Sequence, residues 1–287
     1  MPNNQMPIRA SVLWSGSAVA GLGLAVLLTA QPAAANVLYS NGFEVNTAGW
    51  TAFGGGFNAT RVASGTNGIA SASGGFHAVS SASGSAGNWG GYNYGAGSVP
   101  TVFQEYRTSI DIYLDTGGGW GNNTRFDFSS AISNNAGAHR RDFIFNGGFY
   151  NSADLDSPGA GTNRFIISAS NNSQPSNAYA KNPARDPIAI DDTGWYTFEH
   201  HFYNDGGVLA VDMSILDASD NLLNTWTLSD PTDLVSSVIG GNRYGWFSYN
   251  QFSVLAFDNT SLEVPEPATL ALFGLGLVGL GLARRRR

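Results

Sequence analysis

The chain has 287 residues, with 14 Lys+Arg against 21 Asp+Glu, a formal net charge of −7 and no cysteine. Such an acidic chain is poorly suited to neutralising nucleic-acid phosphates. Without cysteine it has no disulfide, thiolate metal site or cysteine nucleophile. The 37 glycines and the single lysine, Lys181, argue against a helical bundle, while 7 Trp and 17 Phe supply too much core-forming surface for disorder throughout.

In chain order, residues 1–35 read as a secretory signal peptide. Arg9 supplies a charged start, residues 18–29 an apolar stretch, and Ala33, Ala34 and Ala35 a small-residue cleavage site. The body, 36–263, then reads as one β domain. Residues 54–100 are rich in Gly and Ser, consistent with short edge strands or a surface region. Tyr106, Thr108, Ile110, Ile112 and Leu114 alternate with Arg107, Ser109, Asp111, Tyr113 and Asp115, the period of a half-buried strand. Phe143, Phe145 and Phe149 share another face. Residues 151–187 carry four prolines and read as long loops around a strand at 165–168. Tyr196, Phe198 and Phe202 turn inward if Trp195, Glu199, His201 and Tyr203 turn outward. Leu209, Val211, Met213 and Ile215 form the clearest buried face. Asn204-Asp205-Gly206-Gly207 predicts a tight hairpin, because Asn and Gly tolerate positive φ. Residues 234–239 suggest a short helical piece, and Gly240-Gly241-Asn242 a break before the next strand. Many short strands joined by Gly-rich turns predict an all-β, antiparallel β-sandwich of jelly-roll or concanavalin-like type.

Chemistry is harder to find. The four histidines form no His-Glu-x-x-His motif, and His200 and His201, adjacent on a strand, point to opposite faces. No Gly-x-Ser-x-Gly elbow and no same-strand carboxylate pair of glycosidase spacing is present. No catalytic residue is assigned, and the reading favours a protein that is not an enzyme. Sugar rings stack on aromatic side chains and their hydroxyls pair with polar ones. That chemistry makes Trp195, Glu199, His201 and Tyr203 a candidate carbohydrate-binding strip. Trp89, Tyr92, Tyr94 and Trp120 are further candidate platforms.

The C-terminus, 264–287, has three parts. Val264-Pro265-Glu266-Pro267 precedes an apolar run from Leu270 to Ala283, and Arg284, Arg285, Arg286 and Arg287 close the chain. The run predicts a transmembrane helix, short but extensible, whose arginines stay cytoplasmic. This order of parts resembles the PEP-CTERM sorting signal. The resemblance implies processing by an exosortase. It also implies membrane anchoring beforehand, then delivery to the surface or extracellular matrix of a Gram-negative bacterium that makes exopolysaccharide.

A second resemblance lies at the ends of the body. Asn41-Gly42-Phe43-Glu44 with Gly49-Trp50, and Phe257-Asp258-Asn259-Thr260-Ser261-Leu262, resemble the opening and closing of carbohydrate-binding jelly rolls. It implies adjacent first and last strands and a structural calcium held by Glu44 and Asp258, both hard oxygen ligands. The combined expectation is an exported surface protein binding exopolysaccharide, without a nucleic-acid partner. A polysaccharide hydrolase or lyase and a ligand-free structural matrix protein stay open as alternatives.

Overall fold

The structure, a computed structural model, describes residues 36–52, 59–80, 90–94, 102–151, 163–171 and 180–265, with backbone alone at 51–52, 90–94 and 242–244. The expected signal peptide, 1–35, and the tail from Glu266, including the expected transmembrane run and Arg284–Arg287, lie outside these residues.

Strands follow one another along the chain as β1 (Asn36–Asn41), β2 (Trp50–Ala52), β3 (Thr60–Ala63), β4 (Phe76–Ser80) and β5 (Gly90–Tyr94). Next come β6 (Tyr106–Leu114), β7 (Thr124–Asn134), β8 (His139–Tyr150), β9 (Arg164–Asn171) and β10 (Ile188–Ile190). The last are β11 (Gly194–Asp205), β12 (Val208–Asp217), β13 (Leu222–Leu234), β14 (Ile239–Asn250) and β15 (Leu255–Val264). An eight-stranded sheet runs β13-β12-β11-β6-β15-β4-β3, with β1 also on β15, and a seven-stranded sheet runs β10-β9-β8-β7-β14-β5-β2. All pairings are antiparallel. First and last strands are neighbours, Asn41 opposite Thr260.

Alternation drives the packing. Tyr106, Thr108, Ile110, Ile112 and Leu114 are all fully buried, while the residues between them are partly exposed. The inner faces of the two sheets meet in one core rich in aromatic rings. Phe198 on β11 meets Phe145 on β8 edge-on at 5.1 Å, and Trp50 meets Phe257 at 4.6 Å. His200 sits in this core and its Nε2–H donates to the Phe143 carbonyl at 3.0 Å. Burial lowers its pKa to about 3, so the imidazole is neutral. Its neighbour His201 faces outward, as the strand period requires.

The β11–β12 hairpin closes at Gly206 and Gly207, with φ of 59° and 101°, values that side chains with a Cβ rarely adopt. Two local expectations differ from the structure. Residues 235–238 form a single turn closed by Val238 N–H on the Leu234 carbonyl, too short for a helix. Gly240 and Gly241 do not break the chain but lie inside β14, where the pairing with β7 shifts register between Ile239 and Arg243. A Cβ at Gly240 would collide with the Asn134 carbonyl, which accounts for glycine there. The segment 54–100 contributes the short strands β3, β4 and β5, and 151–187 contributes β9 around the expected 165–168 strand.

At the sheet edge, β13 carries Pro231 and turns Asp233 inward, two features that discourage pairing with another chain. Arg140 and Arg141, from β8 in the opposite sheet, both bind the fully buried Asp233 carboxylate, and Arg141 also reaches Asp230 at 3.3 Å. This cluster ties the two sheets together.

Candidate functional site

The outward faces of β6 and β11 carry the candidate strip. Register sets Trp195 opposite Tyr113, Thr197 opposite Asp111, Glu199 opposite Ser109 and His201 opposite Arg107. Cross-strand neighbours on one face lie close enough to bond. Arg107 Nη1 donates to Glu199 Oε1 at 2.5 Å, and Nη2 to His201 Nδ1 at 3.1 Å. Arginine only donates, so Nδ1 accepts and His201 Nε2 carries the proton it gives to Glu105 Oε1 at 2.7 Å. Tyr203 lies 5.1 Å from the His201 ring and donates to Asp212 Oδ1 at 3.3 Å. Burial, then the Asp212 charge, raises the Tyr203 pKa, so the phenol stays protonated.

At the other end of the strip, the Trp195 indole N–H donates to the Ala70 carbonyl at 2.8 Å. Tyr113 and His77 approach its ring edge-on at 5.3 Å and 5.9 Å. The structure therefore gathers Trp195, Glu199, His201 and Tyr203 on one partly exposed strip, and orders them through Arg107, Glu105, Tyr113 and Asp212. Sequence periodicity names the residues on β11, but the partners on β6 and β12 depend on strand register.

The other aromatic candidates are dispersed. Trp89 lies outside the described residues. Tyr92 and Tyr94 belong to β5, opposite Trp50 and Arg243, in the other sheet, and their side chains are not described. Trp120 lies in the loop after β6. Its indole N–H donates to the Asp115 carbonyl at 3.1 Å and its ring meets Phe252 at 5.2 Å.

Glu44 and Asp258 converge on one turn. The Glu44 carboxylate accepts the Gly75 N–H at 3.0 Å and the Phe76 N–H at 3.1 Å. Asp258 Oδ2 accepts the Ser73 N–H at 3.4 Å, and its Oδ1 that of Asn259 at 2.8 Å. Asp258 is fully buried, and burial, with a smaller contribution from the Asp111 charge, pushes its pKa up to about 6. No cationic side chain among the described residues pairs with it. Gly74 closes against Glu44 so tightly that a Cβ would overlap the carboxylate. These hard, uncompensated oxygens suit a divalent cation by their chemistry. Among the described residues, though, no group of three or more His, Asp or Glu is placed to hold a metal. Asp111 and Asp258 face one another across β6 and β15, but the burial of Asp258 beneath Ser73 closes that pair to a substrate.

A second polar cluster escaped the sequence reading. Asp127, Asn146 and Ser168 stand side by side on the outward face of β7, β8 and β9. Asn146 donates to Asp127 at 2.9 Å and accepts from Ser170 at 2.8 Å and from Arg185 at 2.5 Å. Arg185 reaches the cluster from the turn at 183–185; Asn146 and Ser168 are buried and Asp127 partly so. Burial raises the Asp127 pKa to about 6 and lowers that of Arg185.

Residues 263–287 match the PEP-CTERM protein-sorting motif, which marks an exported bacterial protein, anchored in the membrane and passed by an exosortase to the surface. The chain is thus an antiparallel all-β sandwich carrying an export and sorting tail. Its structural neighbours are carbohydrate-binding and lectin modules. The CBM2 module of the Lactobacillus casei BL23 phage J-1 evolved Dit is 11% identical over 83% of this chain and 99% of its own, with a TM-score of 0.42. The VIP36 exoplasmic/lumenal domain, in a Ca2+/Man3GlcNAc-bound form, is 9% identical over 81% and 90%, with a TM-score of 0.42. Winged bean acidic lectin, complexed with methyl-α-D-galactose, is 9% identical over 79% and 97%, with a TM-score of 0.39. No curated protein matches the chain.

Proposed function

We propose that this is a surface or matrix protein of a Gram-negative bacterium, whose 36–263 domain binds exopolysaccharide on the outward face of β6 and β11. The observation that carries this reading is the strip from Trp195 to Tyr203. It places aromatic rings at both ends of a polar row held in position by its own hydrogen bonds. Pre-positioned side chains lose little freedom on binding, and the row can pair with successive hydroxyls of an extended chain. Before processing, residues 264–287 would hold the protein in the membrane, with Val264, Pro265, Glu266 and Pro267 as the motif read by the exosortase and Arg284–Arg287 on the cytoplasmic side.

Retention of the full-length chain on the host's exopolysaccharide tests the binding reading. Trp195→Ala and Tyr203→Ala should each weaken retention at least about tenfold, the scale of a lost aromatic anchor. Unchanged retention in both variants would refute it. Release of sugar ends during the same incubation would instead establish the hydrolase or lyase.

Glu44 and Asp258 are the residues that would hold a calcium ion. The ion would supply the positive charge that buried Asp258 lacks and join the segment after β1 to β15. Chelation should then lower the melting temperature, and readdition restore it. An identical melting temperature with and without chelator rules the ion out.

A further inference from the structure

At one end of the sandwich lies a cavity of about 160 Å³. Cavities of about 150 Å³ admit a single six-membered ring. Phe165, Phe252 and Leu255, each nearly fully buried, form its apolar floor. Trp120, Tyr113 and Asp115 are only partly buried and form the rim.

The rim is built in advance. The Asp115 carbonyl holds the Trp120 indole, Phe252 supports that ring from the side, and Asp115 Oδ1 accepts the Gly117 N–H at 2.9 Å. A Cβ at Gly118 would lie 2.5 Å from Asp115 Oδ2 and 2.6 Å from Trp120 Nε1, so only glycine lets the loop close this tightly. Polar groups without a partner among the described residues remain at the rim: Asp115 Oδ2, the Tyr113 hydroxyl and the Asn67 amide. Burial, then the Asp115 charge, raises the Tyr113 pKa, which keeps that hydroxyl a donor.

We infer that this cavity is an end-on site for one chain-terminal sugar ring that leads with a methyl group, a neutral 6-deoxy sugar. The inference rests on the polysaccharide-binding reading but uses a neighbouring place, which shares only Tyr113 with the strip. The size admits one ring and no more. The floor offers no hydrogen-bonding side chain, so a methyl group enters without losing a bond to water, whereas a hydroxymethyl group must give one up. Ring hydroxyls stay at the rim, where Asp115 accepts and Tyr113 donates. A uronic acid would set its carboxylate near that of Asp115 and is excluded by like charge. The strip on β6 and β11 would hold the length of a chain, and this cavity its end.

The test uses the full-length chain in a non-glycosidic detergent, titrated by NMR with methyl β-D-quinovoside, methyl β-D-glucoside and methyl β-D-glucuronoside. These share one ring and differ only in bearing a methyl, hydroxymethyl or carboxylate group at C5. The quinovoside should bind about tenfold tighter than the glucoside, shift the Trp120 indole signal, and leave the glucuronoside unbound. Val254→Phe, which fills the cavity from its lining, should abolish quinovoside binding without lowering the melting temperature. Asp115→Asn retains the acceptor for Gly117 and should admit the glucuronoside. Equal affinity for all three sugars, no binding to folded protein, or quinovoside binding that survives Val254→Phe would each overturn the inference. Retention on exopolysaccharide, measured on the same samples, separates the two readings. Retention with no monosaccharide binding sinks the cavity alone. Selective monosaccharide binding with no retention sinks the strip alone.

Discussion

The two sheets turn similar side chains outward and treat them differently. On β6 and β11 the outward Arg107, Glu199, His201 and Tyr203 are partly exposed. On β8 and β9 the outward Asn146, Arg164, Ser168 and Ser170 are at most 3% exposed, and Arg185 reaches Asn146 from the turn at 183–185. All eight residues of β9 are buried, whereas β6 alternates strictly. Water screens and competes with the first network, while the second must satisfy its polar atoms from within. The open network is therefore free to serve a ligand, and the closed one holds the fold.

The largest effect should come from the closed side. Asn146→Ala removes the hub shared by Asp127, Ser170 and Arg185 and leaves buried polar atoms without partners. It should cost about 3 kcal/mol in a denaturant titration. A cost below about 1 kcal/mol would mean that the cluster is not structural.

A smaller effect concerns pH. The Asp127 pKa is raised from 3.8 to about 6 by folding. The folded state therefore binds the extra proton between those values, and this group's contribution declines as pH rises from about 4 to 6. Asp127→Asn should remove that decline and raise stability at pH 7.5 by about 2 kcal/mol, provided the bond to Asn146 survives. His200 acts in the opposite direction. Its folded pKa of about 3 lies below the ordinary 6.5, so its contribution is complete above pH 6.5 and is lost as pH falls towards 3. Acid titrations of wild type and Asp127→Asn, read together, separate the two slopes.

The smallest stability effect belongs to the open side. Glu199→Gln breaks a partly exposed ion pair with Arg107 and should cost less than about 1 kcal/mol. Its mark should fall on exopolysaccharide retention instead. A stability loss matching that of Asn146→Ala would erase the contrast between the two faces.

Much of this architecture was legible in the residues. Period two assigned the buried faces of β6, β11 and β12, since successive side chains on a strand point to opposite sides. The Asn-Asp-Gly-Gly turn placed the β11–β12 hairpin, and the order of motif, apolar run and arginines identified the sorting tail. The 234–239 segment misled because Leu234, Val235, Val238 and Ile239 after a proline resemble the start of a helix, whereas the fold needs only one turn between two long strands. Gly240 misled because glycine serves a bulge as readily as a break.

The candidate site was half visible. Trp195, Glu199, His201 and Tyr203 share a strand, so their common face follows from local geometry. Arg107 is 92 residues from Glu199 in the chain, and Arg185 is 39 from Asn146, so these pairs depend on register and on the path of the turn at 183–185. Glu44 and Asp258 could be named together only through the likeness of the chain's ends to known modules. The Trp120 cavity draws on β6, β9, β15 and three loops, and no window of sequence contains it.

By itself, then, the sequence determined the class of fold, the inward face of the principal strands and the export and sorting tail, all properties of local periodicity or of short contiguous signals. The tertiary structure alone decided which outward face stays open, which acids titrate near pH 6, and where the sandwich leaves a cavity. Those depend on what long-range pairing and packing bring against each side chain, and a linear pattern carries no record of that.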